Sequence, residues 1–209
     1  MMLNKLSQNM NNTLLILNPQ KDIIDNCKSN IYSILNNINI LIQNHSSIII
    51  AKKWYPPNHS SFVEMHPSKQ IGETIFNGKN EQLLQRQHCV QYTDGSNNTN
   101  FLDYSKVDKC FLLGTNCLYN TYSAFHDQNF ANSTFLNNWL LNQQIKKITL
   151  VGFYLEDMVK NTALDALAFG FDVDLFLDCC GSNNSDNSVL LSELKEAGAS
   201  LQVLNRTDI

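Results

Sequence analysis

Between Thr13 and Asn205, short apolar runs alternate with segments of helical period, and this alternation most constrains the fold. Thr13–Asn18 (TLLILN) is a short apolar run that ends at Pro19, as a strand buried on both faces does. Asp22–Asn44 follows with Ile23, Ile24, Cys27, Ile31, Ile34, Leu35, Ile38 and Leu41 at spacings of three and four, which predicts one amphipathic helix. Ser47–Trp54, Val107–Gly114, Lys147–Gly152, Phe171–Leu177 and Ser200–Asn205 read as five further strands. Ala131–Gln144 reads as a helix with Phe135, Trp139 and Leu140 on one face, and Asp157–Gly170 and Asp186–Gly198 as helices closed by glycine. Such alternation without an internal repeat implies an α/β fold, a three-layer αβα sandwich around a six-stranded, mostly parallel sheet.

The 209 residues fit one domain, 1–209, with 1–12 expected as a flexible extension and 55–100 as a long, insert-like loop rich in Pro, His, Asn and Gly. Ligands of such sheets bind beyond the carboxyl ends of the strands, at the point where strand order reverses. The residues to inspect are therefore Asn18, Trp54–His59, Leu113–Asn116 and Gly152–Met158.

Composition excludes several classes. A net charge of -4 without a basic stripe argues against nucleic acid as a partner. No apolar run approaches the roughly eighteen residues of a membrane span. Met1–Met10 is too short and too weakly apolar for a secretory signal, and without arginine it makes a poor mitochondrial presequence. The six cysteines form no CxxC pair, and Cys110, inside an apolar run, reads as a buried free thiol. An intracellular, reducing compartment is expected, cytoplasmic in preference to mitochondrial. The scattered asparagines, Asn36, Asn37, Asn97 and Asn98 among them, never form the long polar tracts of prion-like segments.

At the strand ends stand LLILNPQKD (Leu14–Asp22), WYPPNHSSF (Trp54–Phe62), HCVQYT (His88–Thr93), YSAF (Tyr122–Phe125) and LVGFYLEDMVKNTALDA (Leu150–Ala166). In this order they resemble the motifs of the isochorismatase-like hydrolases, and within them the nicotinamidase/pyrazinamidase branch. The resemblance implies amide hydrolysis through a thioester, by a cysteine at a helix N-terminus, an aspartate that moves protons, and a lysine. Here the matching positions read Met158, Asn18 and Leu113. A thioether cannot attack a carbonyl, an amide is no base at neutral pH, and a leucine carries no charge. Loss of a covalent nucleophile alone costs on the order of 10⁴–10⁶ in rate. The resemblance also implies a divalent metal held by one aspartate and three histidines. Those positions read Lys53, Tyr55, His59 and His88, so two imidazoles remain where a catalytic zinc usually has three protein ligands.

The expectation is a degenerate site, with no catalytic residue and no cofactor. Residual zinc binding at His59 and His88 is the weaker alternative to satisfaction of both rings by loop backbone. Lys53 is expected in the metal's place, donating to one of these histidines. Asp22 is expected to be structural, Glu156 and Asp157 to cap a helix, and Tyr154 to crowd the pocket. Function then reads as a catalytically inactive relative, a structural or accessory subunit with protein partners in a larger complex or among homologous subunits. The alternatives are a binding module, with Trp54, Tyr55 and Tyr154 lining a remnant pocket for a nicotinamide-like ring, and a hydrolase of altered chemistry.

Overall fold

The computed structural model describes residues 11–77, 80–128 and 133–204. Its main sheet contains β1 (Asn12–Leu17), β2 (Ile48–Lys53), β5 (Lys109–Leu113), β6 (Lys147–Phe153), β7 (Asp172–Gly181) and β8 (Ser200–Gln202). The strand order is β5-β2-β1-β6-β7-β8, and every pairing is parallel. From β1 the chain builds outward through β2 to β5, then returns to the other side of β1 with β6. The reversal between β1 and β6 opens the crevice that parallel sheets use for ligands.

Alternation along the strands divides the core. Leu14 and Ile16 of β1, with Ile48 and Ile50 of β2, pack under α2 (Ile31–Asn44). Leu15 and Leu17, with Ile49 and Ala51, face the opposite layer of α3 (Leu136–Asn142) and α4 (Lys160–Ala168). In that layer α5 (Ser188–Glu196) contributes the buried Leu194. Among the described residues no helix is long and apolar enough to cross a membrane.

The single helix expected over 22–44 is two. A short α1 (Lys21–Ile24) ends, and α2 starts anew at Asn30, whose side chain accepts the Ser33 N–H. The break exists because residues 27–29 turn to meet the end of β7: the Ser29 hydroxyl donates to Ser182 O, and Lys28 N–H to Asn183 Oδ1. Apolar spacing continues through the break and so conceals it. Asn12, expected in the extension, already pairs with Lys147, whereas residues 1–10 lie outside the described region.

The 55–100 segment contains a hairpin, β3 (Thr74–Asn77) with β4 (Asn80–Leu83), and two short 3₁₀ turns. Cys110 is exposed, because β5 is an edge strand whose inward residues are Phe111 and Leu113. Residues 131 and 132 of the helix expected over 131–144 lie outside the described region. Phe135 stands at its N-cap in a left-handed conformation, exposed, and Leu136 takes the inward position beside Leu140. The helix expected from Asp157 begins as a π-turn, Leu155–Val159, that runs into α4.

Candidate functional site

Asn18 follows β1 in a left-handed conformation (φ 48°), which asparagine tolerates better than most residues. Its fully buried side chain spans the reversal point. Nδ2 donates to Phe153 O of β6 at 3.0 Å, and Oδ1 accepts the Lys53 N–H of β2 at 3.2 Å. An asparagine suits this place because one end must donate and the other accept; a carboxylate could only accept. Leu113 ends β5 and Met158 lies in the π-turn after β6. Both are buried in the same apolar cluster, with Leu17, Ala124, Phe125 and Leu155. All three positions stand at the carboxyl ends of their strands, Leu113 and Met158 in the apolar cluster and Asn18 as a fixed amide.

The residues at the family's metal positions form a second group. Tyr55 is fully buried, and its hydroxyl donates to Asn120 Oδ1 at 2.8 Å. Its ring lies 4.5 Å from that of His59 and 5.3 Å from that of His88, centre to centre. Gly114 makes room for it: the backbone there has φ +66°, and a Cβ would strike the Tyr55 ring. The Ser61 N–H points at His59 Nδ1, while His59 Nε2 faces Tyr119 O at 3.1 Å, so both ring nitrogens are engaged. His88 Nδ1 lies 2.9 Å from Arg86 O and donates to it. Burial, reinforced by the nearby Lys53 charge, holds both imidazoles below the ordinary histidine range, His88 at about 4. They are neutral at physiological pH.

Lys53 is 5 % exposed. Its ammonium turns to Asp157, with Nζ 3.7 Å from Oδ2, and to the Tyr55 ring, 5.9 Å from its centre, rather than donating to His59 or His88 as expected. Burial pulls its pKa down, but the coupled Tyr55 phenol, the Asp157 carboxylate and the Cys89 thiol pull it up and prevail. The group is therefore a fixed positive charge.

A divalent metal does not fit this set. Four donors would have to come from an ammonium, a phenol bonded to Asn120, an imidazole with both nitrogens engaged, and one imidazole with a free Nε2. Among the described residues no group of three or more His, Cys, Asp or Glu side chains could hold a metal ion.

Above Lys53 opens a cleft of about 450 Å³, lined by Asp22, Ile23, Asn26, Gln85, Arg86, Gln87, His88, Tyr154 and Asp157. Of the three aromatic residues expected together, only Tyr154 reaches it, its hydroxyl donating to Ile23 O at 2.6 Å. Tyr55 is sealed beneath. Trp54 points elsewhere, packed edge-on against Tyr92 with the Lys52 ammonium over its ring. Successive strand-end residues alternate faces, so Trp54 and Tyr55 could not share one pocket.

Asp22 holds the cleft wall as expected, accepting the Cys89 N–H at 2.7 Å, and its carboxylate fits only because Gly95 lacks a Cβ. Glu156 and Asp157 do not cap the turn. Glu156 ties down the end of β7 through the Ser182 hydroxyl and the Asn183 N–H, and Asp157 faces Lys53. No pattern signalled the roles of Asp157 or Asn120; each depends on chain segments distant in sequence.

Residues 12–202 match the isochorismatase domain family. The nicotinamidase of Escherichia coli is 31% identical over 161 residues, covering 76% of this chain and 75% of its own. Among solved structures, the Acinetobacter baumanii nicotinamidase/pyrazinamidase superposes with a TM-score of 0.85 at 26% identity, over 94% of this chain and 97% of that one. The yeast nicotinamidase bound to the inhibitor nicotinaldehyde gives 0.84 at 25%, over 92% and 100%. Its sheet order, its strand-end motifs and these likenesses agree: the chain belongs to the isochorismatase family, and nicotinamidases are among its relatives.

Proposed function

We propose that this chain is a catalytically inactive nicotinamidase-like protein that serves as a structural or accessory subunit of a larger assembly. One observation carries the reading: Met158 and Leu113, at the positions of the family's nucleophile and lysine, are packed into one apolar core cluster. A thioether and an isobutyl group at these positions supply neither a nucleophile nor a charge to favour one. Asn18 completes the loss, because its amide is committed at both ends and moves no proton.

The fold itself is retained, and exposed apolar side chains remain on it, Phe76, Tyr92, Phe101 and Val189 among them. A paralogue kept for its surface, in an intracellular complex with homologous or unrelated subunits, accounts for both. The test is the native mass of the endogenous protein in gentle lysate, by size-exclusion chromatography with immunodetection. Elution far above a dimer, together with other proteins, is expected. Elution as a free monomer would remove the subunit role.

A further inference from the structure

We propose that two copies of this chain pair through Phe135, the ring of each inserting into a cavity beside Phe135 on the other. The inference concerns the purified chain and holds whether or not other proteins join it in an assembly.

Phe135 opens α3 with φ 63°, a left-handed backbone that a bulky side chain rarely adopts. The conformation is held from both sides: the Phe135 N–H donates to Ser133 Oγ at 3.1 Å, and its carbonyl accepts the Trp139 N–H at 3.0 Å. The core gains nothing from it, because Phe135 is 68 % exposed while its neighbour Leu136 takes the inward place. Backbone strain of this kind clusters at working sites. Tyr92 and Phe101 are also exposed, but each rests edge-on against a ring of its own chain, Trp54 and Tyr32. Among the described residues Phe135 meets no other ring.

Beside it lies a cavity of about 220 Å³ lined by Phe125, His126, Ser133, Asn137, Asn138 and Phe169. Ser133 and Asn137 stand two residues to either side of Phe135, so the ring and the cavity share one face of the chain. Phe135 itself is not part of the lining. The rings of Phe125 and Phe169 lie 5.2 Å apart, and the His126 ring has Asp127 O and Asp165 Oδ2 each at 2.9 Å, so the walls are largely aromatic and fixed. Sites for whole ligands run to roughly 300–1,000 Å³, so this cavity suits a single side chain. A third ring set against Phe125 and Phe169 extends their cluster in the offset or edge-on geometry that aromatic pairs prefer. An exposed ring next to a hole that fits it makes the patch self-complementary. About a two-fold axis each copy gives its ring and receives the other's, and the pair closes.

The test is analytical ultracentrifugation of the purified full chain over a concentration series. A dimer whose share rises with concentration is expected. Phe135→Asn removes the ring but keeps a residue that tolerates the left-handed backbone, and is expected to weaken the dimer at least about tenfold. Asn138→Arg puts a long cation at the mouth of the cavity, from an exposed helical position, and is expected to weaken it by a similar factor. An equimolar mixture of the two variants regains one of the two insertions, Phe135 of the second entering the cavity of the first. The mixture is therefore expected to dimerise more tightly than either variant alone, which general stickiness of the surface would not produce. A wild-type chain that stays monomeric up to about 0.1 mM, a Phe135→Asn chain that dimerises undiminished, or a mixture no tighter than its components would each overturn the proposal. The purified chain reports only on self-pairing and the lysate only on other partners, so this contact and the subunit role fail separately.

Discussion

The two halves of the strand-end region differ in what surrounds their side chains. Around Leu113 and Met158 the side chains are apolar, buried and packed into the core. Around Lys53, Tyr55, His59 and His88 the site is still polar, but its groups are engaged with one another and with the backbone. The first half is set apart by packing and the second by charge and hydrogen bonding. Restoring a single residue should therefore fail in both halves, for opposite reasons.

The largest expected effect lies in the packed half. Leu113→Lys restores the residue type of the family motif but places an unpaired ammonium in an apolar cluster, and it should cost about 3–5 kcal/mol in urea unfolding. A near-neutral result would mean that water or a carboxylate reaches Leu113 and that the packed half is not dry. In the polar half, Gly114→Ala forces a Cβ into the Tyr55 ring at a positive φ, and a loss of about 2–4 kcal/mol is expected. A loss comparable to that of a surface glycine such as Gly170, where a Cβ meets nothing, would show that Tyr55 can move aside.

The third expectation concerns pH. His88 and His59 are held below their unfolded pKa of about 6.5, so the unfolded chain takes up protons first as pH falls. Above that pH both states are neutral and the groups contribute no slope. Stability should then fall as pH drops from about 6.5 toward about 4, by about 3 kcal/mol for His88 alone. His88→Gln should flatten most of that slope, because His88 is the more strongly shifted of the two. An unchanged slope would place the titrating groups elsewhere and blur the contrast between the halves.

The strands of the sheet were legible because parallel strands buried on both faces are continuous apolar runs, and β1, β2 and β6 lie within a residue or two of their expected bounds. The motif residues at their ends were legible through the resemblance to the family's motifs. The break between α1 and α2 was not, because Ile24, Cys27 and Ile31 keep helical spacing across it and only the distant Ser182 and Asn183 explain the turn. Cys110 misled because an edge strand is apolar on one face only. Asp157 was hidden behind the usual preference of acids for helix starts; its contact with Lys53 requires the π-turn. Local periodicity located the strand ends and the resemblance named the residues there, whereas the site's internal bonding depends on long-range contacts that no local pattern encodes.

The central claim is that the strand-end region no longer hydrolyses amides, and ammonia release from nicotinamide by the purified full chain tests it most directly. The account predicts release no faster than without protein, for the wild-type chain and equally for Met158→Cys, since Asn18 and Leu113 would still supply neither base nor charge. Release that rises in proportion to protein concentration would contradict it.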